Sequence, residues 1–203
     1  RDGLVTGVQT CALPISKASD KPSSSVKVSV SPKATSGKTS SPVISPKLSS
    51  SPKKVPPVVF PIHVKDANKY EMIIPKKPVK IVSLTLGTDE MLLSLVDKSR
   101  ILSLTKFVDD PGISNVVELA KGVKLRTESS AEMVLSIGPD LVFVDTWARV
   151  EFVKQLRDAG IIVYQFKTPS SVEEQKNIVL EIAHIVGEDE KGIQLFAWMD
   201  SKL

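Results

Sequence analysis

The chain has 203 residues, 41% of them hydrophobic and 25% charged, with a formal charge of +4, proportions that fit a soluble globular protein of one domain and a tail, or two small domains. No run approaches the roughly 18 consecutive apolar residues that a membrane-spanning helix needs. Residues 17–57 hold eight lysines and one aspartate, whereas residues 58–203 hold 18 basic and 21 acidic side chains, so the part expected to fold is slightly acidic and nucleic-acid binding loses its electrostatic basis.

Residues 1–16 (RDGLVTGVQTCALPIS) show neither helical nor strand periodicity. VTGVQTCALPIS resembles the translated read-through of a sequencing-library adapter, and the segment is set aside as an artefact. Cys11, the only cysteine, lies within it. Without Cys11 the chain can form neither an internal disulfide nor a thiolate metal site. Val8-Gln9-Thr10-Cys11 has the form of a lipid-attachment box, but no apolar run precedes it. In residues 17–57, Ser, Pro and Lys fill 28 of 41 positions, with Ser31-Pro32-Lys33, Ser45-Pro46-Lys47 and Ser51-Pro52-Lys53 repeating one theme. Such a composition cannot offset the entropy of ordering and predicts a disordered tether, with a reach of roughly 35 Å. A low-complexity tail without a role is the alternative.

From Val58 the pattern changes. Val59–Val64 and Tyr70–Ile74 are β-rich runs around the turn-like Asp66-Ala67-Asn68-Lys69, which predicts a hairpin. Lys80–Leu84 reads as a buried strand, and Thr88–Leu95 as a helix capped by Thr88 or Gly87. Arg100–Thr105 is a second strand candidate. Ser130–Ile137 is a short helix stopped by Gly138-Pro139, and Asp140–Val144 is a strand. Arg149–Ala159 is an amphipathic helix closed by Gly160, followed by the strand Ile161–Phe166. Val172–Val186 is a helix capped by Ser170 or Ser171, and Glu188–Leu203 begins another. Apolar strands alternating with helices predict a Rossmann-like, three-layer α/β/α lobe with a central, mostly parallel sheet, preceded by the tether and the hairpin. Ligands of such sheets collect at the carboxyl ends of the strands, here Leu84–Thr88, Thr105–Asp110, Asp145–Arg149 and Phe166–Pro169.

Four segments carry a resemblance to a known family, in its order: Val64-Lys65-Asp66 to Ile74-Pro75; Lys80-Ile81-Val82-Ser83-Leu84 to Thr88-Asp89-Glu90; Glu132 to Val142 (EMVLSIGPDLV); and Leu156-Arg157-Asp158-Ala159-Gly160-Ile161-Ile162-Val163. Over residues 58–203 the chain resembles class III periplasmic binding proteins, which deliver iron–siderophores, haem and cobalamin to ABC importers. The resemblance implies two lobes joined by a long helix, with ligand held between them. Residues 58–187 are then the N-terminal lobe and 188–203 the start of the connecting helix, with a second lobe, signal peptide and lipid-anchoring cysteine expected in the intact protein. It also implies an extracytoplasmic location, periplasmic or lipid-anchored, and a permease as partner. No cofactor is expected.

By the same resemblance Glu132 is a docking residue for a permease arginine, a carboxylate–guanidinium pair that fixes orientation; its alternative is a solvated charge at a helix start. Trp147 offers a flat face to a tetrapyrrole or catecholate, or packs against neighbouring loops. Arg149 and Lys106 are candidate partners for ligand carboxylates. Thr85, Gly87 and Thr88 offer hydroxyls or backbone hydrogen bonds to a ligand, or a simple cap; Phe107 is a further candidate, or core. Between Val116 and Ser130 the chain departs from the family's pattern, so the ligand class does not carry over. His63 and His184 fall in elements not expected to meet, and Asp109-Asp110 reads as a loop cap. No nucleophile elbow or phosphate loop appears. An enzyme on the same fold, or an envelope-associated interaction domain, are the rival readings.

Overall fold

The computed structural model describes residues 55–202; the expectations for residues 1–54 lie outside them. The hairpin forms as β1 (Ile62–Lys65) and β2 (Glu71–Ile74), antiparallel, with Ile62 opposite Ile74. Asp66 shapes its turn by accepting from the amides of Asn68 and Tyr70 at 2.9 Å each. Five parallel strands then make one sheet in the order β5-β4-β3-β6-β7. They are β3 (Ile81–Ser83), β4 (Ile101–Leu104), β5 (Leu125–Arg126), β6 (Leu141–Asp145) and β7 (Ile162–Phe166).

The helices are α1 (Leu86–Leu95), the short α2 (Val117–Ala120), α3 (Ala131–Ile137), α4 (Val150–Asp158), α5 (Val172–Ile185) and α6 (Asp189–Asp200). The chain runs outward from β3 to β4 and β5, then crosses back to β6 and β7. Right-handed crossovers in opposite directions place their helices on opposite faces, and the cores show this. Ile81, Leu141, Phe143 and Tyr164 pack with Leu92 and Leu95 of α1 and Val179 and Ile182 of α5. Their strand neighbours Val82, Val142, Val144 and Val163 pack instead with Val134 of α3 and Phe152, Val153 and Leu156 of α4. The continuous apolar reading of these strands thus follows from burial on both faces.

Boundaries differ from expectation at two places. Helix α1 begins two residues before Thr88, and its cap is Thr85, whose hydroxyl accepts from the Thr88 amide. The segment from Val116 to Ser130, expected as a loop, carries α2 and the edge strand β5. Ser130, expected as the first residue of its helix, caps α3, and Ser171, one of two expected caps, holds α5; they accept from the amides of Met133 and Glu174. Gly138 takes the left-handed conformation (φ 67°) that ends α3.

Candidate functional site

Every strand of the sheet points the same way, so all its carboxyl ends share one edge. There the loop after β3 leads to α1 on one face and the loop after β6 leads to α4 on the other, so a crevice opens where they part. A cavity of about 390 Å³ occupies it, lined by Leu84, Ser129, Asp145, Trp147, Arg149 and Phe152 among others. A larger concavity, about 690 Å³, lies against the hairpin, but only one hairpin lines it, so it gathers no groups from separate elements. The crevice is the better candidate, because convergence from several elements is what a binding site needs.

The β6–α4 loop is set by Asp145, whose carboxylate accepts from the Trp147 amide at 2.9 Å. This turn leaves the indole 82% exposed. Arg149 occupies the N-cap position of α4 but makes no side-chain cap there, and its side chain lines the cavity. Trp147 and Arg149 are therefore brought together as expected. Phe107 and Lys106 stand on a short 3-10 turn (Lys106–Asp109) after β4, both exposed. Lys106 pairs with Glu128 at 2.7 Å, and Arg126 pairs with Asp109 through two nitrogens at 2.7 Å each. Hydrogen bonding from Lys106 and from Arg126 holds Glu128 and Asp109 below the usual carboxylate range.

The three residues after β3 behave differently from one another. Thr85 is half-buried and committed to the cap of α1. Thr88 is fully buried, its hydroxyl bonded to Ser83 at 2.6 Å and Thr85 at 2.7 Å, so it is not presented to the crevice. Gly87 is exposed, and nothing lies within 4 Å of where a Cβ would stand. Glu132 is exposed in the first turn of α3, which starts on this same edge. Asp110 accepts from Gly112 in a loop turn, and Asp109 belongs to the Arg126 pair. His63 is exposed, and His184 faces Asp189 at 3.2 Å. Among the described residues no group of three or more His, Cys, Asp or Glu is placed to hold a metal.

Sequence reasoning missed Ser129 and Glu128, which lie in the segment read as a loop, and Asp89. Asp89 is buried in the first turn of α1 and accepts from the Thr105 amide at 3.1 Å and its hydroxyl at 2.5 Å. An acidic residue at a helix start reads as a surface charge favoured by the dipole, so nothing local signals its burial.

A parallel α/β lobe with an aromatic and a cation standing over a crevice at its switch point has the form of a ligand-binding lobe. The chain belongs to the periplasmic binding protein family, whose profile matches residues 81–203. It is 30% identical over 148 residues to an ABC transporter substrate-binding lipoprotein of Bacillus subtilis, YvrC, whose function is uncharacterized; the match covers 71% of this chain and 46% of that protein. It is 27% identical over 115 residues to a cobalamin-binding protein of Halobacterium salinarum, covering 56% of this chain and 31% of that one. This chain thus spans less than half the length of either relative. Among solved structures, the heme binding protein HmuT superposes with a TM-score of 0.58 at 21% identity, over 69% of this chain and 45% of that one. Holo-ViuP superposes with a TM-score of 0.59 at 16% identity, over 70% and 49%. At these identities the structures establish the fold.

Proposed function

We propose that the chain is the first lobe of an extracytoplasmic substrate-binding component of an ABC importer, which captures an iron–siderophore, haem or corrinoid-type ligand and hands it to the permease without catalysis. The observation that carries this reading is the crevice at the switch point, lined from one loop by an exposed tryptophan and an exposed arginine. A planar aromatic face suits a tetrapyrrole or catecholate, and Arg149 with Lys106 suits its carboxylates. Phe107 and Gly87, exposed at the same edge, would add apolar surface and room for ligand, and Thr85 and Thr88 fix the start of α1. Glu132, on the same edge, is the docking carboxylate for a permease arginine. Residues 17–57 serve as the tether to the membrane surface through a lipid anchor, residues 58–187 as the lobe, and α6 as the start of the helix that leads to a second lobe. Closure of two lobes around ligand is the mechanism.

The test is a titration of the 203-residue chain with haem, cyanocobalamin and a ferric catecholate siderophore, read by tryptophan emission. Trp147→Phe assigns the signal, since Trp198 is also present. One lobe offers half the contacts, so dissociation constants weaker than micromolar are expected, with Arg149→Gln weakening haem several-fold. Micromolar or tighter binding contradicts the half-site argument. No response to any of the three, up to their solubility limits, overturns the reading.

A further inference from the structure

Asp89 does not line the cavity, but it holds the loop after β4, which leaves the same carboxyl edge of the sheet. One of its carboxyl oxygens takes both donors of Thr105, while the other is buried with no hydrogen-bond partner. A carboxylate has two acceptor oxygens and nothing to donate; a carboxylic acid carries a proton on one and accepts on the other. Two donors on one oxygen and none on the other is the pattern of the acid. The Ser83 hydroxyl lies beside it and belongs to a line of hydroxyls that runs through Thr88 to the half-buried Thr85 at the edge. Thr105 is the first residue after β4, so the bond to Asp89 fixes the point from which residues 106–110 leave the sheet. Val108 anchors the loop in the core, and its ion pairs, Arg126 to Asp109 and Lys106 to Glu128, lie at the surface.

We propose that Asp89 is a proton-operated latch on the ligand-side loop 105–110: protonated, it holds Thr105 in place; ionised, it leaves a buried charge with one oxygen unpartnered, which only loosening of the loop can hydrate. Burial is the leading influence on this carboxyl and raises its pKa to about 7, against the opposing influence of the nearby Ser83 hydroxyl, the Thr105 bonds and the charge of Arg126. Ionisation strengthens each bond from Thr105, but the direction of the shift shows that desolvation outweighs them. The other charges around it are already engaged. Arg126 on β5 is held by Asp109 and Lys106 by Glu128, while Glu90 on α1 accepts from Asn115. On the helices packed along α1, Lys176 is paired with Glu173 and Asp200, Lys191 bonds the Leu95 carbonyl, and His184 faces Asp189. Ser83 of β3 and Thr105, just after β4, face Asp89 with hydroxyls.

The sign follows from linkage. An opened, hydrated Asp89 has its ordinary pKa of 3.8 and the closed one about 7. Opening therefore becomes easier as pH rises between those values, by up to about tenfold per unit, and levels off above the higher one. The latch stands on this geometry; only its consequence for ligand capture rests on the function proposed above. The experiment is amide hydrogen exchange of Thr105, Val108 and Asp110 in the 203-residue chain from pH 4.5 to 8.5, corrected for intrinsic rates and compared with a core amide such as that of Phe143. Opening of the three amides is expected to rise steeply to about pH 7 and then flatten in the wild type, and to be independent of pH in Asp89→Asn. A wild-type profile retained in Asp89→Asn, or no pH dependence in the wild type, overturns the proposal. Should the variant fail to fold, the carbon-13 resonance of the Asp89 carboxyl decides: its midpoint must coincide with the levelling of loop opening, and separate midpoints overturn the latch. Neither readout involves a ligand, so failure of the latch and failure of the binding reading are seen separately.

Discussion

The two edges of the sheet are built in opposite ways. At the amino edge Arg100, whose side chain is only 12% exposed, reaches the Pro78 and Val186 carbonyls and the Glu188 carboxylate at 2.6–2.9 Å. Glu188 is also paired with Lys77 at 2.8 Å. Burial pushes the Glu188 carboxyl up, but the Lys77 bond and the charges of Lys77, Lys191 and Arg100 outweigh it and hold it low. Beside this knot Asp140 accepts from the amides of Val79 and Lys80 at 2.9 Å each. At the carboxyl edge the polar pairs are exposed, Lys106 and Glu128 by 62% and 66%, and large apolar side chains stand free, Trp147 by 82% and Phe107 by 51%. A chain optimised only for stability would bury such rings. Val79, Tyr70 and Trp198 are also exposed elsewhere, but the two rings at the carboxyl edge stand opposite a satisfied and partly buried network and leave apolar surface for something else to cover.

The contrast predicts that the amino edge is costly to disturb. Arg100→Met leaves two carbonyls without their donor and Glu188 without its best-buried partner, and should cost about 2–4 kcal/mol in urea unfolding. A loss under 1 kcal/mol would mean that the knot is as dispensable as a surface pair. Comparable in size is Asp89, a buried carboxyl near the carboxyl edge with one oxygen unpartnered. Its pKa is raised to about 7 from 3.8, so between those values the folded chain holds a proton that the unfolded chain does not. Wild-type stability should therefore fall as pH rises from about 4 to about 7 and stay flat above, by up to about 4 kcal/mol. Asp89→Asn should abolish that slope and be more stable than the wild type at pH 8.

How much of this was readable in the sequence divides along the same line. The buried strands and their helices were, because apolar runs and caps such as Ser130 and Ser171 act locally, and Gly138 and Gly160 stop helices wherever they stand. Strand β5 was not: two residues with no apolar run carry no signal, and Arg126 joins the sheet because Ser103 and Leu104 are there to pair with. Thr85 and Thr88, three residues apart, offer the same capping hydroxyl in the sequence, and only the backbone decides between them. Trp147 and Arg149 were readable as site candidates because a tryptophan after a strand has few reasons to be in a loop. Asp89 and Glu128 were not, since a carboxylate's burial or pairing is settled by the tertiary fold.

The carboxyl-edge pair Lys106–Glu128 should matter little for folding. Its replacement by Lys106→Met should shift stability by less than about 1 kcal/mol, since exposed pairs are screened and entropically costly to hold. Its effect belongs instead to ligand titrations, where loss of a cation should weaken an anionic probe. A stability loss as large as that of Arg100→Met would erase the distinction between the edges.

The smallest expected effect on folding is the most informative. Trp147 gives its backbone amide to Asp145, and that bond survives substitution. The exposed indole shields little, so Trp147→Ala should leave the unfolding free energy within about 0.5 kcal/mol of wild type. The same change should abolish the emission response to haem, cyanocobalamin and the ferric siderophore, because the ring is both the proposed contact and the reporter; binding followed by the absorbance of haem separates those two roles. Unchanged stability with weakened haem absorbance shifts would mean that the indole serves the ligand and not the fold. A clear destabilisation would mean that the ring packs in solution, and the crevice would then lose the aromatic face on which its proposed ligand class rests.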